Sequence, residues 1–169
     1  FGLRREVDGE TDRRATLTGS DDVPDGYRTL VEEYYRSLAR VFARQAVLDG
    51  RLVIYIRFAP HEAIFAVDGA DGIVVHELDP SAGFEYFTGE VHRIAAEAGR
   101  EAFYVFDSLS ELQTAWSADL MMGNFFSVTC PYLFELDTVA WFCIIRHRHS
   151  YDAVARVRET TQILIDLFS

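Results

Sequence analysis

Lysine is absent: all sixteen basic residues of this 169-residue chain are arginine. The absence removes Schiff-base catalysis, which needs a lysine amine. It also removes the lysine with which a phosphate loop reaches the β- and γ-phosphates of a nucleotide. Cysteine is scarce, and Cys130 and Cys143 lie in apolar runs with no motif to pair them. That excludes a disulfide scaffold and fits buried thiols in a reducing, cytoplasmic compartment. Positive charge is in deficit, since 27 acidic residues leave a formal net charge of −11. A general nucleic-acid binder carries a basic face, so none is expected here. Docking on an anionic membrane surface is not expected either. No apolar run approaches the roughly 20 residues that span a bilayer, and no signal peptide opens the chain.

What is present is apolar and aromatic: 49% hydrophobic residues and 14% Phe, Tyr and Trp, enough for one core in a domain of ordinary size. Residues 1–25 form a polar segment with one short strand expected at Ala15–Thr18, and residues 26–169 form a single α/β domain. The chain opens on Phe1 and closes after an apolar run, and so reads as a piece of a longer protein.

From Tyr27 to Leu48 the residues Leu30, Val31, Tyr34, Tyr35, Leu38, Val41, Phe42 and Val47 recur at helical spacing. Leu52–Ile56, Ile73–Leu78, Ala102–Phe106 and Val139–Ile145 are continuous apolar runs, as in strands buried on both faces. The stretch from Glu62 to Leu78 allows a hairpin around Asp68–Gly72, or an irregular or helical connection into a strand; the second is favoured. Ser81 is placed as cap of a helix ending near Ala98. Helices are expected over Ser110–Met122 and Asn124–Leu136, with Pro131 interrupting the latter or capping its second half. A short helix over Tyr151–Thr160 and a final strand over Gln162–Phe168 complete the pattern. Apolar strands alternating with amphipathic helices indicate an α/β fold, a mostly parallel central sheet with helices on both faces.

The segment Glu101-Ala-Phe-Tyr-Val-Phe-Asp-Ser-Leu-Ser-Glu-Leu112 resembles the second nucleotide-binding strand of RecA/KaiC-like ATPases, where apolar residues lead to an Asp-Ser pair and a helix. The order of the other elements over roughly residues 15–169 is similar to that family, which implies a three-layer sandwich. A second resemblance lies in Met122–Thr138, similar to a domain found beside phosphoenolpyruvate synthase-like and pyruvate phosphate dikinase-like segments. It implies an accessory domain of a larger phosphotransfer protein.

The departure from the family is in the loop. Its pattern Gly-x4-Gly-Lys-Ser/Thr should precede the first helix, but Gly19-Ser-Asp-Asp-Val-Pro-Asp-Gly26-Tyr27-Arg28 stands there. Gly19 and Gly26 are too far apart, Tyr27 takes the lysine position, and three aspartates put negative charge where a phosphate should lie. Backbone N–H groups that would cradle an anion can be satisfied by those carboxylates instead. Arg28 is the substitute cation in the loop, or an exposed first-turn arginine.

Asp107 is set at the C-terminal end of a central strand, where open α/β sheets bind ligands. It would hold Mg²⁺, with Ser108 alongside and Glu111 one turn into the helix, or it caps that helix. Arg146-His147-Arg148-His149 follows the next strand; His147 and His149 could share a metal, and Arg146 and Arg148 could clamp an anion. The plain alternative is a polar loop. His61, His76 and His92 are scattered without evident partners. The expectation is a non-catalytic RecA/KaiC-like module with no cofactor, whose partners are neighbouring domains of a parent protein or further copies of itself. A divergent ATPase or phosphotransferase using Mg-ATP at Asp107 is the alternative, and an anion or metabolite sensor the second.

Overall fold

The computed structural model describes residues 25–66, 69, 71–145 and 148–165, with the side chains of residues 25–32 left outside the description. Helix α1 runs over Asp25–Leu48 and leads into strand β1, Val53–Arg57. Strand β2 is Ile73–Glu77, followed by a 3-10 turn at Pro80–Ala82 and helix α2, Phe84–Ala98. Then come β3, Phe103–Ser108; α3, Ser110–Trp116; α4, Asp119–Glu135; β4, Val139–Cys143; and α5, Tyr151–Thr160. The strands form one parallel sheet in the order β2-β1-β3-β4. This is the predicted α/β fold.

Alternation along each strand divides the core in two. Ile54, Ile56, Tyr104 and Phe106 face α2, α4 and α5, where Phe87, Val91, Phe125, Phe126 and Val157 complete the larger cluster. Each such fully buried side chain contributes about 1.5–3 kcal/mol relative to exposure. Val53, Tyr55, Phe103 and Val105 face the other way, onto Ala39, Ala43 and Ala46 of α1. The face that α1 buries is thus a line of alanines. Of the bulky residues that mark the helix in the sequence, Tyr34, Val41 and Phe42 are exposed.

Several boundaries differ from expectation for identifiable reasons. Helix α1 starts at Asp25 and so takes in Gly26 and Arg28. The hairpin around Asp68–Gly72 is not seen among the described residues: residues 63–66 form no strand, and Ile73–Glu77 pairs in parallel with β1 instead, as a crossover connection allows. The connection is irregular where described, and Phe65 packs edge-on against Tyr55. Ser81 does not cap α2: Asp79 accepts from the Ser81 N–H at 2.9 Å to cap the 3-10 turn, and Gly83 precedes α2. The α3–α4 break falls at Ser117, in the left-handed region, and Ala118, several residues before the expected one. Pro131 lies inside α4, which continues past it to Glu135, although a proline there removes one helical hydrogen bond. The last strand stops at Cys143, because the Ile145 N–H turns to Ser110 Oγ at 2.9 Å. Gln162–Ile165 are not in a strand. Ala15–Thr18, Gly19 and residues 166–168 lie outside the described residues.

Candidate functional site

Asp107 is where the sequence places it, at the C-terminal end of β3, but its carboxylate is fully buried and turned toward β1. Tyr55 donates its hydroxyl to Oδ1 through a short hydrogen bond. The Phe58 and Ala59 N–H groups donate to Oδ2 at 2.9 and 3.0 Å, and His61 Nε2 lies 3.3 Å from Oδ1. An ionised carboxylate has about four acceptor positions, and four donors from this chain surround this one. Burial alone would raise the Asp107 pKa, but the hydrogen bonds from His61, Tyr55 and the two N–H groups outweigh it and hold the carboxyl below its ordinary value. The bond to Asp107 raises the His61 pKa against the opposing effect of burial. Burial, then the Asp107 charge, pushes the Tyr55 phenol up. The pair is an anchored carboxylate facing the His61 imidazole, whose Nδ1 lies 2.8 Å from Glu62 O.

The other residues expected around Asp107 are dispersed. Ser108, one position on and so on the opposite face of the strand, has a buried Oγ with no partner among the described residues. Glu111 accepts from Arg148 Nη1 at 3.1 Å, and Arg148 Nη2 donates to Thr114 Oγ1 at 3.1 Å. Arg148 thereby ties the β4–α5 connection to α3. Arg146 and His147 lie outside the described residues, as does the Arg28 side chain. Among the described residues no group of three or more His, Cys, Asp or Glu could hold a metal ion.

His149 belongs to a second buried network. Its Nε2 lies 2.6 Å from Ser110 Oγ, and its Nδ1 meets Asp119 Oδ1. Asp119 Oδ2 accepts from the Ser150 N–H, and Ser150 Oγ caps α5 at Ala153. Burial works to raise the Asp119 pKa, but hydrogen bonds from Ser150 and His149 bring it below the ordinary carboxylate value. Each polar atom of the network has a partner: His149 Nδ1 meets Asp119, His149 Nε2 meets Ser110 Oγ, and Ser110 Oγ accepts from the Ile145 N–H. The connectivity is that of a serine-hydrolase relay, but the exposures are inverted. Ser110 and the His149 side chain are wholly buried, and the Asp119 side chain is the more accessible member at 16% exposure. A substrate carbonyl cannot reach Ser110 Oγ, so the network acts as a strut joining α3, α4 and the start of α5.

Sequence reasoning missed both networks. His61 and Asp107 stand 46 positions apart, and Ser110, Asp119 and His149 have no linear motif in common; only sheet register and the α3–α4 break bring them together. Cys130 is partly buried, and burial pushes its thiol pKa up to about 12. His92, read as partnerless, stacks on Tyr132 at 4.6 Å. No family model matches the chain, and neither does any curated protein.

Proposed function

We propose that the chain is a non-catalytic module of RecA/KaiC-like type, serving as a structural, regulatory or docking domain of a larger phosphoenolpyruvate synthase-like protein. One observation carries the reading: both oxygens of Asp107, the aspartate that would face Mg²⁺ in that family, are taken by donors of the chain itself. A magnesium-binding carboxylate needs a free lone pair aimed at the ion, which takes much of its remaining coordination from the nucleotide phosphates. Here the Asp107 lone pairs fasten the start of the β1–β2 connection. Glu111 and Arg148, the neighbouring charges, are paired with each other. The lack of lysine and the acidic Gly19–Gly26 segment agree with this assignment.

Titration of the purified chain with Mg-ATP, followed by thermal unfolding, tests the reading. No stabilisation is expected. A ligand at a hundredfold excess over its dissociation constant stabilises by about 2.7 kcal/mol, so Mg-dependent stabilisation of that order would overturn the assignment. It would favour instead a divergent ATPase or phosphotransferase; stabilisation by phosphate-bearing anions without Mg²⁺ would favour a sensor.

A further inference from the structure

We draw no further inference here: the strongest candidate, the exposed apolar patch at the β4 edge of the sheet, where Phe42 of α1 packs on Trp141 and Val139 is exposed, carries none because nothing in the structure shows what covers it.

Discussion

Replacing Asp107 separates a structural carboxylate from one held ready for a metal. In Asp107→Ala the Tyr55 hydroxyl and the Phe58 and Ala59 N–H groups lose their acceptor, and His61 loses its counter-charge. Each buried donor left unpaired costs about 1–3 kcal/mol. Water entering the vacated space recovers part of that, so the sum falls short of three full penalties. Removing one member of a buried pair costs about 3–5 kcal/mol in comparable cases, and that is the expected loss. It is a large share of the 5–15 kcal/mol that hold a domain together. Asp107→Asn keeps the shape but offers one acceptor oxygen and turns an NH₂ toward donors; a loss of about 2 kcal/mol is expected.

Urea unfolding followed by tryptophan fluorescence measures both variants, and a double-mutant cycle with Tyr55→Phe should give a coupling of about 0.5–3 kcal/mol. A carboxylate kept for a ligand is held at the expense of stability, and replacing it is neutral or stabilising. A loss below about 1 kcal/mol for the alanine variant, or a gain for the asparagine variant, would refute the structural role of Asp107.

Stability should depend on pH through the same pair. His61 has a raised pKa, so its contribution is complete below the unfolded value of about 6.5 and is lost as pH rises through the folded value. Asp107 has a lowered pKa, so its contribution is present above the unfolded value of about 3.9 and is lost as pH falls through the folded value. A maximum between those limits is expected from the pair, and His61→Gln should flatten the neutral-to-alkaline limb of urea midpoints against pH. In the second network, Ser110→Ala strands the Ile145 N–H and should cost about 1–3 kcal/mol. The wild-type chain should not be labelled by a fluorophosphonate probe at Ser110; labelling there would show that the strut opens.

How much was legible follows from the range of the interactions. The strands could be read because Val53–Ile56 and Phe103–Phe106 are buried on both faces, and burial on both faces leaves an unbroken apolar run. Asp107 could be placed at a strand end for the same reason. Its partners could not, because they depend on which strand lies beside β3, and many orders of four parallel strands satisfy the same pattern. The α3–α4 boundary was misplaced since Ser117 and Ala118 carry no breaker signal. The break is fixed by Asp119, which bonds His149 and the Ser150 N–H some thirty positions away. For α1 the bulky residues were visible and the alanines were not weighted, so the predicted apolar sector was displaced from the buried one. That displacement leaves Tyr34, Val41 and Phe42 exposed.

The missing lysine acquires a different meaning from these contacts. Arg57 reaches both Glu77 and the His61 carbonyl; Arg93 spans Glu90 and Glu97; Arg100 joins Asp137 and the Glu135 carbonyl; Arg148 holds Glu111 and Thr114. In each case two acceptors are served by one planar fork, a geometry that a single ammonium on a flexible stem does not match. Arg57, Arg100 and Arg148 therefore act as cross-links between neighbouring segments, and Arg93 bridges successive turns of α2, more than as isolated ion pairs, whose exposed members are worth little, about 0–1 kcal/mol. Arg148→Lys tests the distinction. If charge alone matters, stability is unchanged. If the fork matters, the variant loses the Thr114 bond and should approach Arg148→Ala, each costing about 0.5–1.5 kcal/mol by urea unfolding. Recovery of the full wild-type value by lysine would show that charge alone is used at this position.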